Sequence, residues 1–280
     1  MRRVTAGFGL LVVMFMFLLV LEPLPVHAAA TVVQESSNGN AFFNPPTSSP
    51  VVMVTLSSVT SGDVLVVGVG WRGTVTSITD TLHSSFSLAA SMTGGQEGNA
   101  AIYTATLSSS GGDTVTVTFN LPPPVGVEYA GSEDAVYVYE VAGVTTTGAA
   151  TATGGVGSGD SVSTSTMVSF QPGAFLLGMT TTCNCSATPG AGFTFSPQPP
   201  PPHDITGYPS YAEYSDPVSS PTTFPATLSY GTFYTGWVEA GIALNPTSPI
   251  PEYPFGLAVL AIFMIIAYGV VRRRIRNDST

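Results

Sequence analysis

The chain has no lysine, and only 9% of its 280 residues are charged, against roughly 25% in an ordinary soluble domain. All seven basic residues are arginine: Arg2 and Arg3 open the chain, Arg272, Arg273, Arg274 and Arg276 close it, and Arg72 alone lies between. From Thr31 to Ile250 fourteen Asp and Glu stand against that one arginine. Nucleic-acid binding through phosphate neutralisation is excluded, because it needs a basic patch. Histidine is nearly as scarce, with only His83 and His203 between the two ends. A serine hydrolase would need one of them beside a nucleophile and a carboxylate, and His203 follows the loop-forming run Pro199–Pro202. There is no Gly-x-Ser-x-Gly elbow, no His-Glu-x-x-His and no Walker loop. Between the ends no amphipathic helical stripe is found either.

What is present is short runs of Val, Thr, Tyr and Phe separated by Gly, Pro, Ser and Asp, the pattern of β-strands and turns. Thr114 to Phe119 alternates polar and apolar as a half-buried strand does, and Val64 to Val69 is apolar on both faces. Four segments recur in order. Gly62-Asp63-Val64-Leu65-Val66-Val67-Gly68 is echoed by Gly173-Ala174-Phe175-Leu176-Leu177-Gly178, and Phe86-Ser87-Leu88 by Phe193-Thr194-Phe195. Ala101-Ile102-Tyr103 is echoed by Ala212-Glu213-Tyr214, and Tyr139-Glu140-Val141-Ala142-Gly143-Val144 by Val238-Glu239-Ala240-Gly241-Ile242. The expected fold is all-β: one two-sheet, jelly-roll-like β-sandwich over 31–244, with repeated halves at about 62–144 and 173–244 and an exposed linker at 145–161.

The ends predict export and anchoring. Residues 1–30 have a positive start, an apolar run from Phe8 to Leu21, a Pro-containing breaker and small residues before Thr31, the plan of a signal peptide. A Pro-rich stalk, 245–254, leads to an uncharged apolar run, 255–271, expected to span a membrane as a helix, and to a basic tail, 272–280. The positive-inside rule then puts the tail in the cytoplasm and the acidic segment outside. Pro251-Glu252-Tyr253-Pro254, the apolar run and the arginine cluster resemble the tripartite C-terminal signals of archaeal surface proteins, the Pro-Glu-Phe sorting signals handled by archaeosortases. That resemblance implies an envelope protein, with a sorting protease among its partners. The segment 31–245 also resembles secreted β-sandwiches of bacterial and archaeal surface proteins, in which a Gly-Asp-x-Leu-Val-Val strand opens the domain and a Trp-x-x-x-Gly-x-Ala strand, here Trp237 to Ala243, closes it. This second resemblance implies a fold and no catalytic residue.

Candidate site residues are few. Glu140 and Glu239 fall on matching echoes, on faces shared with Val138 and Trp237, where a carboxylate needs a partner. Arg72 is the only arginine available, so one expectation is structural: an ion pair of Arg72 with Glu140 or Glu239, or carboxylates bonded to the backbone. The other is a carbohydrate site using Trp71 or Trp237 as stacking platform and the two glutamates as acidic rim. Cys183 and Cys185 would be oxidised outside the cell, although two residues apart is near the upper limit for a bridge. Asn184 heads a glycosylation sequon. No cofactor or metal is called for, and calcium is compatible with the acidic loops without being indicated. Expected partners are the membrane, envelope glycans and other surface proteins. The functional expectation is a non-enzymatic, membrane-anchored surface module with a structural, adhesive or ligand-binding role. The alternative is a carbohydrate-active hydrolase pairing two of Glu128, Glu133, Asp134, Glu140, Glu213, Asp216 and Glu239.

Overall fold

The computed structural model describes residues 29–42, 50–71, 73–94, 98–120, 132–146, 150–157, 161–162, 171, 173–182, 187–190, 192–197, 210–215, 228–230 and 237–247. All regular elements among them are strands: β1 (Thr31–Phe42), β2 (Val51–Val59), β3 (Val64–Trp71), β4 (Thr74–Asp80), β5 (Ser87–Thr93), β6 (Asn99–Thr106), β7 (Gly111–Asn120), β8 (Ser132–Ala142), β9 (Ala150–Gly157), β10 (Ser161–Val162), β11 (Phe175–Thr182), β12 (Ala187–Thr188), β13 (Thr194–Phe195), β14 (Ser210–Ser215), β15 (Leu228–Tyr230) and β16 (Trp237–Leu244). They form four antiparallel sheets, not two: β1-β8-β3-β6-β5, β2-β7-β4, β13-β14-β11-β16-β9 and β10-β15-β12.

Adding eight to each strand of the first pair of sheets gives the second pair, with the neighbours of every strand preserved. Each repeat therefore supplies its own five-stranded and three-stranded sheet. Within a repeat the first and eighth, second and seventh, and third and sixth strands are paired, the nesting of a jelly roll. The fifth strand instead extends the large sheet beyond the sixth. The segment expected to be an exposed linker, 145–161, contains β9, the edge strand that opens the second repeat. Its Thr/Gly/Ala composition hides it, because a strand held by ladder hydrogen bonds at a sheet edge needs no apolar alternation.

Two apolar layers organise the described body. One lies between the large and small sheets of the first repeat, where Leu65, Val67 and Val69 of β3 meet Val52, Val54, Val115, Val117 and Phe119. The other lies between the two large sheets, where Val64, Val66, Tyr137 and Tyr139 meet Phe175, Leu177, Met179 and Ile242. Consecutive residues of β3 point alternately into one layer and the other, so all eight are buried. The large sheets run past each other in reverse order: β5 packs on β9 and β16, while β8 packs on β14. Near its C-terminal end the backbone of β3 comes close to the second repeat at Gly70, where a Cβ would lie 2.5 Å from that of Ser210. A glycine is required there.

The expected class combined this sandwich with a C-terminal membrane helix, and that part is corrected. Among the described residues there is no helix at all, and none long and apolar enough to cross a membrane. The apolar run 255–271 lies outside the described residues, as do residues 1–28 of the expected signal peptide and the tail 272–280. What stands is the all-β body. The membrane anchor, the membrane as partner and the fixed inside–outside arrangement are withdrawn with the helix.

Candidate functional site

Where the two repeats meet at one edge, β1 and the β13–β14 pair leave a cleft of about 470 Å³. Its lining includes Gln34, Glu35, Thr194 and Tyr214. β1 is the outermost strand of one large sheet and β13 of the other, so the apolar layer between them ends here and polar groups take over. Glu35 is half-buried. Burial raises its carboxyl above the usual range, and hydrogen bonds from Ser196 and Tyr214 partly offset the rise. The Tyr214 hydroxyl lies 3.5 Å from Oε1 as a long donor, and Oε2 has no partner. Behind it, Tyr139 packs against Tyr214 with centroids 5.7 Å apart and against Phe175 at 6.0 Å. The buried Tyr139 hydroxyl shares a hydrogen bond with Ser196 Oγ, and burial pushes that phenol well above its ordinary value.

The expected site residues do not converge on this cleft. Glu140, next to Tyr139 but on the opposite face of β8, is buried away from the cleft, where Oε1 accepts the backbone N–H of Thr60 and Oε2 the side-chain amide of Gln34, each at 2.6 Å. It holds the β2–β3 turn, and Gln34 also donates to the Ser58 carbonyl. Asp63 stands beside it. Burial raises the Asp63 carboxyl first, and the neighbouring Glu140 adds to the rise. Glu239 proves not to be the counterpart of Glu140. Leu65 faces Glu140, whereas Thr180 faces Glu239. Aligning the starts of β3 and β11, each preceded two residues earlier by a positive-φ glycine, Gly62 and Gly173, makes Val136 the counterpart of Glu239 and Ala243 that of Glu140. The sequence echo is four residues out of register.

Glu239 is fully buried on the face of β16 turned away from the first repeat, with neither carboxyl oxygen hydrogen-bonded among the described residues. Burial holds its pKa well above the usual range, and Glu213, on the same face beyond β11, adds to the rise. Glu213 is pushed up to about 7 by burial, despite the Gly190 N–H donating to Oε2 at 2.8 Å. Trp71 and Trp237 are 7% and 8% exposed, their indole N–H groups unpartnered. Neither presents a face on which a sugar could stack.

Arg72, Cys183, Asn184, Cys185 and the motif Pro251, Glu252, Tyr253, Pro254 lie outside the described residues, as do Glu128, Asp216 and His203. The hydrolase alternative is corrected. The carboxyls of Glu140 are committed to the turn, Glu213 and Glu239 are sealed beneath the surface, and the cleft has Glu35 as its one carboxyl among the described lining. No carboxylate pair flanks an open groove there, as glycoside hydrolysis requires. Sequence reasoning missed Glu35, Thr180 and Tyr214. Glu35 sits in a polar stretch, Gln34-Glu35-Ser36-Ser37, that carries no motif, and only the pairing of β1 with β8 brings it to the seam. Comparison with protein-family models, with curated protein sequences and with solved structures found no match.

Proposed function

We propose that the chain is an exported, non-catalytic β-sandwich module that acts through its surfaces as a structural or adhesive body. The supporting observation is the outer face of the β2-β7-β4 sheet. Val51, Met53 and Thr55 of β2, Thr114, Thr116 and Thr118 of β7, and Ser77 and Thr79 of β4 alternate with core residues and stand in cross-strand rows. The face carries hydroxyls and methyls and no charge, and Met53 is 57% exposed on it. A filled core lies directly beneath. Such a surface suits broad, weak contact with an uncharged, hydroxyl-rich partner, each contact adding a hydrogen bond or methyl packing without the cost of desolvating a charge. The signal-like residues 1–30, the acidic and lysine-free body and the abundance of Thr and Ser support export.

The test is proteolytic shaving of intact producing cells with proteinase K, since trypsin has Arg72 as its single site between Thr31 and Ile250. Peptides from 31–244 should be released from intact cells or found in the medium. A chain protected until lysis overturns the proposal.

A second reading is favoured by the seam cleft. A polar ligand of small-molecule size fits about 470 Å³, with Glu35 and Tyr214 as polar contacts. Loss of binding to a small-saccharide panel in Tyr214→Ala, with the thermal midpoint unchanged, would support it.

A further inference from the structure

The outer face of β11, β14 and β16 holds a set of polar groups that neither the sandwich nor the proposed role explains. Glu239 is wholly buried, and among the described residues neither of its oxygens has a hydrogen-bond partner. Directly opposite on β11 stands Thr180, also wholly buried, with its hydroxyl unpartnered. Glu213, on β14 and diagonal to Thr180, leaves Oε1 unpartnered. Gly178 on β11 lies opposite Glu213, and Gly241 on β16 lies opposite Gly178, so neither position puts a side chain over the acids. The three side chains share one face of the sheet with Gly178 and Gly241.

The first repeat shows what the fold itself asks for at these places. By the register of β3 with β6 and β8, the counterpart of Glu239 is Val136, that of Thr180 is Val69, that of Glu213 is Tyr103 and that of Gly178 is Val67. There the layer closes with apolar side chains, all buried except the partly buried Tyr103. The same topology in the second repeat has exchanged them for two acids, a hydroxyl and a glycine. Carboxylates without partners are strongly disfavoured in such a layer, so an exchange of this kind calls for a compensating group. The set offers oxygen alone, with no nitrogen or sulfur ligand, and two potential negative charges. Those are the preferences of a hard divalent cation of the calcium type, which takes carboxylate and neutral oxygens together.

We propose that Glu213, Glu239 and Thr180 hold a calcium-like divalent cation inside the second repeat. Two carboxylates and one hydroxyl supply up to five oxygens, and the neutralised pair then contributes to stability instead of opposing it. The first repeat, with its apolar layer, holds no such ion.

The test uses the full chain, stripped with chelator and unfolded thermally at pH 8 with calcium chloride, with magnesium chloride or with neither, alongside calorimetric titration. Millimolar calcium should raise the unfolding midpoint by about 5 °C or more, with one strong site per chain. Glu239→Val, which installs the residue of the first repeat, and the near-isosteric Glu239→Gln should both abolish the shift and the strong site. If Glu239→Val fails to fold by circular dichroism, Glu239→Gln decides. A midpoint indifferent to both cations overturns the proposal and leaves protons as the neutralising species. A calcium shift that survives in Glu239→Gln overturns it in favour of binding at the acidic surface.

Discussion

The two repeats share strand order, nesting and the glycines that open their third strands, yet the layer outside each large sheet differs in kind. In the first repeat Val67, Val69, Val136 and Val138 pack against the small sheet. In the second, Gly178, Thr180, Glu239 and Gly241 occupy those places. The inner layer, where the repeats meet, is built of apolar side chains from both sides, and its buried hydroxyls are bonded across it, Thr181 to the Asn99 carbonyl and Tyr137 to that of Ser210. Chain topology therefore tolerates either chemistry on the outer face, while the seam keeps to apolar side chains and hydrogen-bonded hydroxyls. A residue conforming to the seam reports on folding, and a residue departing from its counterpart on the outer face reports on something else.

Four changes would break or sharpen that contrast. Val136→Glu would put into the first repeat what the second has at Glu239, but with Val69 and Tyr103 as neighbours. An unpartnered carboxyl in that layer should cost about 3–5 kcal/mol, read by chemical denaturation. Gly70→Ala attacks the seam itself: the new Cβ collides with Ser210, and forced repacking should cost about 1–3 kcal/mol. Glu239→Val, measured in chelator, should be neutral or stabilising by about 1–2 kcal/mol, because it restores the apolar layer. Glu140→Gln is the mildest. It keeps an acceptor for Thr60 but turns the other end from acceptor to donor, against the Gln34 amide, for a loss of about 1 kcal/mol.

The acid pair also separates the repeats by pH. Burial raises the folded-state pKa of Glu213 to about 7 and holds that of Glu239 well above the ordinary 4.5. Between pH 4.5 and 7 the folded second repeat thus keeps protons that the unfolded chain has released. Its stability is fully present below pH 4.5 and falls as pH rises through 7. In chelator, the thermal midpoint of the full chain should drop over this window, and Glu213→Gln with Glu239→Gln should flatten the slope. A midpoint independent of pH in the unmodified chain would contradict the burial of these groups.

Much of the fold is legible in the sequence, and the reasons for the exceptions are specific. The opening of β3 and β11 reads clearly because Gly62 and Gly173, each at a positive φ, precede the apolar runs Val64–Val67 and Ala174–Leu177. The alternation of β7 reads as one buried and one exposed face. Register does not read. The two sides of a strand repeat every second residue, so sliding β16 by four against β8 keeps every side chain on its face. Glu140 and Glu239 thus align in sequence while sitting four residues apart in the fold. Tyr103 was likewise matched to Tyr214, whereas the ladder sets it against Glu213. The seam cleft was invisible because Gln34, Glu35, Thr194 and Tyr214 come from distant stretches and share no spacing. Four sheets were read as two because neither half shows, in its own pattern, that its large sheet is buried on both sides.

The rule that each strand recurs eight places later has a consequence for assembly. The face shared by the large sheets is one surface used twice in reverse order, which is how the interface of a two-fold homodimer is built. A chain of a single repeat would expose Tyr137, Tyr139, Val64 and Val66 to water, and its natural solution is a second copy of itself. Joining two copies in tandem makes that association intramolecular, so it no longer depends on protein concentration. It also frees the copies from identity. Once fused, one half could keep Val136 and Tyr103 in its outer layer while the other took on Glu239 and Glu213 at those places, a specialisation closed to a symmetric dimer.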